Sequence, residues 1–130
     1  MAAESYPEDL RYHPEHDWAR VEGEEATLGV TWFAADALGE LVHFEPPEAG
    51  ASVTKDQSYG EVESVKAVSD LIAPLSGEVI EVNQKAIDAP ETINEDPYGD
   101  GWLVRIRLSD PSEVDSLLDV KAYEQLLAEQ

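Results

Sequence analysis

Alternating apolar and polar positions run through much of this chain and predict a protein built mainly of short strands. A period of two places successive side chains on opposite faces of a strand. The clearest case is residues 102–108, WLVRIRL, in which Arg105 and Arg107 separate apolar residues at the even positions. Other strands are predicted at 17–21, 26–30 and 40–44.

Helix start and stop signals predict three short helices. Thr31 can cap the first turn of a helix over 32–38, and Gly39 can end it. Asp110 and Pro111 are residues typical of a helix start, and they predict a helix over 111–118. A second C-terminal helix is predicted over 120–128, where Val120, Tyr123, Leu126 and Leu127 recur at helical spacing. We expect these two helices to pack on the strands.

The remaining segments are predicted to be irregular. Residues 1–9 are expected to form a flexible acidic tail, followed by a single domain over 10–130. The polar stretch 84–101 contains two prolines and is predicted to be a long surface loop. A spacing of Pro-x-x-Gly occurs at 47–50 and again at 74–77, which suggests two similar half-sheets.

Residues 60–77, GEVESVKAVSDLIAPLSG, place a single lysine between two segments that resemble the arms of a β-hairpin. Val62 and Ser64 alternate with acidic residues before Lys66, and a second apolar segment follows it. A lysine at the tip of a hairpin is exposed and adds little stability. The spacing alone leaves two interpretations, a solvated surface lysine or a point of attachment.

Composition narrows the classes of function. The chain has 130 residues, 29 acidic and 8 basic, and a formal net charge of −21. Such acidity opposes binding to nucleic acid or an anionic membrane and favours a partner with a basic surface. No apolar run has the length of a membrane span, and residues 1–10 have no targeting pattern, so we expect a cytoplasmic protein.

The absence of cysteine excludes a disulfide, a thiolate nucleophile and a thiolate metal site. His13 and His16 have the spacing H-x-x-H, but the sequence offers no third ligand, so we expect no metal. No phosphate-binding glycine motif is present. The sequence therefore predicts no catalytic centre.

Longer motifs identify a family. YHPEHDW at 12–18, ESVKA at 63–67, APLSGEV at 73–79 and NEDPYGDGW at 94–102 resemble segments of the H protein of the glycine cleavage system. The resemblance covers about residues 10–125. Lipoyl domains of the 2-oxoacid dehydrogenases share the hairpin but lack the first and last motifs.

This resemblance implies a fold and a function. The fold would be a flattened two-sheet barrel-sandwich hybrid, mostly β with short helices. Lys66 would carry lipoate through an amide and would shuttle the aminomethyl group of glycine. The partners would be glycine decarboxylase, the tetrahydrofolate-dependent aminomethyltransferase, dihydrolipoamide dehydrogenase and the lipoate-attaching enzymes. The chain itself, expected to be a monomer, would catalyse none of the steps.

The resemblance also implies roles for five residues besides the lysine. Glu63 and Gly77 would help the attaching enzymes to place Lys66. His16, Asp17 and Asp70 would line a cleft that shelters the loaded arm, and the family usually has Glu at the position of Asp17. For each residue an ordinary structural role is the alternative: a turn glycine, a solvated acid, or a packed histidine.

Two other functions use the same residues. A lipoate relay would pass lipoate on to the 2-oxoacid dehydrogenases, and its lysine and hairpin would look the same. An unmodified scaffold with the same fold would never receive lipoate. The intact ESVKA segment and Asp70 argue against the scaffold.

Overall fold

Two antiparallel sheets form the centre of the molecule in the computed structural model, which describes residues 2–130. The six-stranded sheet has the order β1-β2-β3-β9-β8-β5, and the three-stranded sheet has the order β4-β6-β7. The strands are β1 Arg11–His13, β2 Asp17–Glu22, β3 Glu25–Val30, β4 Leu41–Glu45, β5 Ser52–Val53, β6 Ser58–Ser64, β7 Val68–Ile72, β8 Gly77–Val82 and β9 Val104–Leu108.

The main core lies where the two sheets face each other. Alternate residues of β9 are buried, as the period of two requires, and the residues between them are exposed. In β6, Tyr59, Val62 and Ser64 are buried, and the alternation is interrupted near Gly60, where the pairing with β7 shifts its register. Leu28, Phe44, Val62 and Ile106, none more than 1% exposed, belong to this core. The predicted class is confirmed: a mostly β protein with short helices and two packed sheets, which do not close into a barrel.

The strands predicted from alternation are confirmed to within one or two residues at each end. β2, β3 and β4 correspond to the predictions at 17–21, 26–30 and 40–44. β9 begins at Val104 rather than at residue 102. Leu103 N–H, just before the strand, donates to Leu28 O of β3, the strand that pairs with β9.

The helices are α1 Trp32–Leu38, α2 Gln84–Asp88, α3 Glu91–Glu95 and α4 Val120–Ala128, and a 3₁₀ helix spans Pro111–Ser116. The predictions of α1 and α4 are confirmed, and Thr31 caps α1 by accepting from Ala34 N–H. The helix predicted over 111–118 is a shorter 3₁₀ turn with Asp110 as its cap. No helix within residues 2–130 has the length and apolarity to cross a membrane.

The prediction of a long surface loop over 84–101 was wrong. The segment forms α2 and α3, and Ala86, Thr92, Ile93 and Asn94 are buried. Each helix has only five residues, which is too short for a periodic apolar pattern to stand out in the sequence. Tertiary contacts therefore decide the structure of this segment.

A second, smaller cluster lies around α4. Tyr123 of α4 stacks on Tyr12 of β1 with ring centroids 4.6 Å apart, and Trp18 and Leu10 are buried beside them. Residues 2–9 contain no helix or strand, yet they contact the rest of the molecule at several points. Trp32 Nε1 donates to Ala2 O at 2.7 Å, and Tyr98 OH donates to Ser5 O at 2.6 Å.

The strands that follow the two Pro-x-x-Gly segments pair with each other. Ser52 of β5 lies opposite Glu78 of β8, and Val53 lies opposite Gly77. Both strands therefore belong to the six-stranded sheet, and they do not form separate half-sheets.

Candidate functional site

Lys66 lies in the three-residue turn between β6 and β7. Ser64, only 3% exposed, closes this turn. Its backbone N–H donates to Ala67 O at 2.8 Å. Its Oγ accepts from Lys66 N–H at 3.3 Å and from Ala67 N–H at 3.2 Å. The backbone that bears the lysine is thus held by a buried side chain.

The side chain of Lys66 is exposed and, within residues 2–130, makes no ion pair. Lys55 and Lys85, by contrast, pair with Asp56 and Asp100 at 3.1 and 2.9 Å. Lys66 lies beside Gly39, where an added Cβ would be 3.5 Å from Lys66 Cε. The amine is therefore accessible to another molecule.

Two clefts lie near this hairpin. We call the first the Asp70 cleft; it has a volume of about 510 Å³ and is lined by His13, Glu15, Asp56, Ser69, Asp70 and Ile72. We call the second the Gly39 cleft; it has a volume of about 430 Å³ and is lined by Asp36, Gly39, Glu40, Glu91, Asn94 and Glu95. Carboxylates predominate in both, so each suits a cationic group.

Comparison with known proteins identifies the family. The family model described as glycine cleavage H-protein matches residues 10–130. The chain belongs to this family. A glycine cleavage system H protein of Symbiobacterium thermophilum is 51% identical over 123 residues, covering 95% of this chain and 96% of the relative. One of Anaeromyxobacter sp. is 53% identical over 124 residues, covering 95% and 97%.

A solved H-protein structure has the same fold. The crystal structure of a glycine cleavage system H protein from Mycobacterium marinum superposes with a TM-score of 0.88 at 41% sequence identity. The match covers 95% of this chain and 99% of that chain. Both the sequence similarity and the shared fold therefore extend over nearly the full length of the matched H proteins.

Among the residues predicted to belong to the site of this H protein, Asp70 lines the cleft named after it. Glu63 lies on the central strand β6, between His43 of β4 and Val68 of β7, with its side chain exposed. Both residues belong to the hairpin that carries Lys66. Their positions relative to the lysine are therefore fixed by strand pairing.

Gly77 lies in the other sheet, at the start of β8. A Cβ at this position would overlap the carbonyl oxygen of Arg107 and would lie 3.2 Å from Ile106 Cδ1. Close packing of β8 against β9 accounts for this glycine. The structure does not bring it together with Lys66 at the hairpin tip.

His16 lies in the turn between β1 and β2, with a positive φ of 74°. Its Nδ1 is 2.8 Å from Tyr123 OH, which in turn lies 2.8 Å from Thr31 Oγ1. Its ring packs against Phe33 at a centroid distance of 4.5 Å. Burial lowers the pKa of His16, which favours the neutral imidazole. The ring does not line either cleft.

Asp17 is only 2% exposed. Burial raises the pKa of its carboxyl group well above the usual range, and a hydrogen bond from the backbone of Ile72 opposes that change in part. Ile72 lines the Asp70 cleft, but Asp17 does not. Asp17 is therefore separated from the cleft in which the resemblance places its counterpart.

Of the cleft residues that the sequence did not indicate, three have ionisable side chains: His13, Glu15 and Asp56. Asp56 is 43 residues from His13, and no local pattern relates two positions so far apart. One weak signal exists. Asp56 adopts a positive φ of 73° in a tight turn, a conformation that Asp tolerates better than most residues.

The two histidines of the H-x-x-H spacing have different partners. His13 Nε2 lies 2.7 Å from Asp56 Oδ1, whereas His16 turns toward Tyr123. In the part of the chain that the structure describes, no group of three or more potential ligands could hold a metal ion. Neither histidine is available as half of a metal site.

Proposed function

We propose that Lys66 is the residue on which this H protein carries its lipoyl group, as the moving arm of a single carrier domain over residues 10–130. The observation that supports this most is the combination of a held turn and an exposed, unpaired amine. An amide requires an accessible nitrogen, and a carrier requires a defined base for its arm. Glu63 and Gly77 would assist the attaching enzyme, Glu63 through its position on the same hairpin.

The lipoyl group supplies a disulfide that opens to a dithiol and that can hold the aminomethyl group of glycine. The chain has no cysteine, so none of its own side chains can replace this chemistry. What the protein contributes is position. A tethered group meets each active site at a high effective concentration, and a rigid base sets where the group can reach.

Membership in the family makes this chain a non-catalytic carrier that interacts with the enzymes of glycine cleavage. The partners we propose are glycine decarboxylase, the aminomethyltransferase, dihydrolipoamide dehydrogenase and an enzyme that attaches lipoate. The protein would act as a monomer in the cytoplasm. Its net charge of −21 would favour basic surfaces around the active sites of these partners.

The Asp70 cleft would shelter the arm when it is loaded. Its edge is formed by β7, which begins two residues after Lys66, so the cleft lies on the same hairpin as the lysine. A loaded arm ends in a primary amine that is cationic when protonated. Glu15 and Asp70 supply negative charge there, and His16 and Asp17 would support the wall from behind.

The relatives favour the shuttle over a lipoate relay. The proteins that match over nearly their whole length are named glycine cleavage system H proteins. A carrier needs an exposed lysine on a fixed turn, and Lys66 is such a residue. An unmodified scaffold has no such requirement.

Replacement of the lysine tests the attachment. Lys66→Arg keeps the charge but cannot form the amide, so we expect a folded protein without lipoate and glycine cleavage at the background measured without carrier. Lys121→Arg is the matched control, because Lys121 is also exposed and makes no ion pair within residues 2–130. Intact mass and peptide mapping of both variants, with an activity assay, give the result. Lipoate on Lys66→Arg, or normal activity from it, would overturn the proposal.

Amide chemical shifts test which cleft holds the loaded arm. We expect loading to move the amide signals of residues 13, 15, 56 and 69–72 in the lipoylated protein. Movement confined to residues 36–40 and 91–95 would place the arm in the Gly39 cleft instead. The spectrum of the lipoylated but unloaded protein is the reference.

A further inference from the structure

His13 lies in the wall of the Asp70 cleft with both ring nitrogens engaged. Its side chain is 8% exposed. Nδ1 accepts from Glu15 N–H at 3.0 Å, and Nε2 lies 2.7 Å from Asp56 Oδ1. Because Nδ1 is the acceptor, Nε2 carries the hydrogen and donates it to the carboxylate. These contacts connect Asp56, His13 and Glu15 in series.

The series ends at the backbone N–H of Glu15, and the carboxylate of the same residue has no partner. Glu15 is exposed in the turn between β1 and β2, and within residues 2–130 its side chain makes no hydrogen bond or ion pair. The side chain of Asp70 is also exposed and makes no hydrogen bond or ion pair within residues 2–130. The two carboxylates line one cleft and are available to a cation.

The other two acids near the cleft are not equally available. The carboxylate of Asp56 already accepts from His13 and from Lys55, the latter at 3.1 and 3.3 Å. Asp17 is 2% exposed, accepts from the backbone of Ile72 and does not line the cleft. A cation that enters the cleft therefore meets Glu15 and Asp70 first.

We infer that the His13–Asp56 pair positions Glu15 so that its carboxylate, together with Asp70, binds the primary ammonium group of the loaded arm. This inference rests on the proposed docking of the loaded arm in the Asp70 cleft. His13 and Asp56 are positioning residues, and Glu15 takes the contact that the short, buried side chain of Asp17 does not reach. An opposite charge nearby favours the protonated amine. In the neutral form the nitrogen lone pair can break the C–S bond, which leaves a thiolate, protonated by water, and an iminium ion that water hydrolyses to formaldehyde and ammonia. Binding of the protonated amine therefore slows the release of ammonia.

The protein without lipoate allows a direct test of the positioning. His13→Phe removes both hydrogen bonds and keeps a ring in the wall, so we expect a large change in the amide shift of Glu15. Asp56→Asn keeps an acceptor for Nε2–H, and we expect little change. Asp56→Gly removes the acceptor and tolerates the positive φ, and the Glu15 amide should move as it does in His13→Phe. An unmoved Glu15 amide in His13→Phe would overturn the positioning role.

The loaded protein tests what the positioning does. Each variant is lipoylated, loaded with glycine and glycine decarboxylase, separated from the enzyme, and followed by ammonia release and by intact mass. We expect Glu15→Gln to release ammonia about threefold faster than the wild type, since partly exposed ion pairs contribute modestly. His13→Phe and Asp56→Gly should raise the rate about two- to threefold, and Asp56→Asn should stay near the wild-type rate.

The double variant separates positioning from general destabilisation. If His13 acts through Glu15, then Glu15→Gln with His13→Phe is no faster than Glu15→Gln alone. Multiplied effects would overturn the inference, as would equal rates from Asp56→Asn and Asp56→Gly. The matched control is the exposed His43–Glu45 pair, at 3.0 Å and outside both clefts, for which His43→Phe and Glu45→Gln should change nothing.

Failure of the proposed docking gives a different result. In that case the loaded wild type loses ammonia as fast as the same protein unfolded in urea, and the amides of residues 69–72 do not move on loading. If the wild type is protected and Glu15→Gln is equally protected, the docking stands and the role of Glu15 is overturned.

Discussion

The carboxyl group of Asp17 is buried and almost inaccessible to water. Burial raises its pKa because the charged form loses its hydration, and one backbone hydrogen bond, from Ile72, opposes this. A group with a raised pKa in the folded state contributes most below its unfolded pKa, near 3.8, and costs stability as the pH rises through its folded pKa. The raised pKa of Asp17 therefore lowers the free energy of unfolding at neutral pH.

Asp17→Asn should stabilise the protein at neutral pH. The amide keeps the acceptor for the backbone N–H of Ile72 and carries no charge. The substitution removes the free-energy cost of ionising a buried carboxyl group, so we expect a higher free energy of unfolding at pH 7. The gain should shrink as the pH falls toward 3.8. Urea unfolding of both proteins across this range measures it.

The exposed Asp70→Asn is the control for this prediction. Its carboxylate is hydrated, so the change in stability should stay within about 0.5 kcal/mol at every pH. Equal stability of Asp17→Asn and wild type at pH 7 would show that the carboxylate is better solvated than its 2% exposure implies.

The sequence was sufficient to predict the position of some residues of the site but not of others. Lys66 could be placed at a hairpin tip from alternation on both of its sides, and the structure confirms that position. The burial of Asp17 could not be foreseen, since an aspartate next to a tryptophan in an acidic chain is ordinarily solvated. The contact of His13 with Asp56 joins the end of β1 to a turn that meets it only in the folded chain.

At the scale of elements, α3 determines how the segment before β4 is held. Asn94 of α3 is 5% exposed and joins three elements. Its Oδ1 accepts from Leu41 N–H at 2.8 Å, and its Nδ2 donates to Gly39 O at 2.9 Å and to Ala35 O at 3.3 Å. One amide side chain thereby connects α3 to the end of α1 and to the start of β4.

Asn94→Ala should be strongly destabilising. It leaves the buried N–H of Leu41 and the carbonyl group of Gly39 without the Asn94 side chain as partner, whereas Ala35 O still accepts from Gly39 N–H. Unsatisfied buried groups cost about 1–3 kcal/mol each. We expect a loss of about 2–4 kcal/mol in the free energy of unfolding, measured in urea. Glu95→Ala, one residue on in the same helix but exposed, should change it by less than about 0.5 kcal/mol. Similar losses from both would contradict the role given to Asn94.

Elements with strong local signals could be predicted, and elements that depend on distant contacts could not. The cap at Thr31 and the glycine at 39 give the bounds of α1. Asn83 caps α2 much as Thr31 caps α1, but a five-residue helix is too short to show a periodic apolar pattern. In α3 no side chain caps the start, and Asn94 contacts partners elsewhere in the chain. The 3₁₀ turn at 111 shares its cap with the α-helix that was predicted there.

At the scale of the whole molecule, charge opposes compactness. The net charge is −21, and within residues 2–130 the Lys and Arg side chains that form ion pairs are Lys55, Lys85, Arg105 and Arg107. Most carboxylates therefore repel one another across the surface. Such repulsion destabilises the folded state and is screened over ~10 Å at 0.1 M salt.

Added salt should therefore raise stability. We expect the urea midpoint to increase from 10 mM to 500 mM NaCl, with most of the change below about 200 mM, where the screening length falls fastest. Sucrose at matched osmolality serves as the control for effects that do not depend on charge. A midpoint that falls with salt would show that the ion pairs outweigh the repulsion.

The held turn under Lys66 has a consequence for how partners share the carrier. Because Ser64 fixes the backbone at one point, the arm pivots there, and each enzyme must open its active site within one arm's length of that pivot. Two enzymes of ordinary size do not fit around a single hairpin tip together. They must take turns, so the throughput of the cycle depends on how quickly each one dissociates. Tight binding by any one partner would slow the others, and weak, rapidly reversed encounters suit this geometry best.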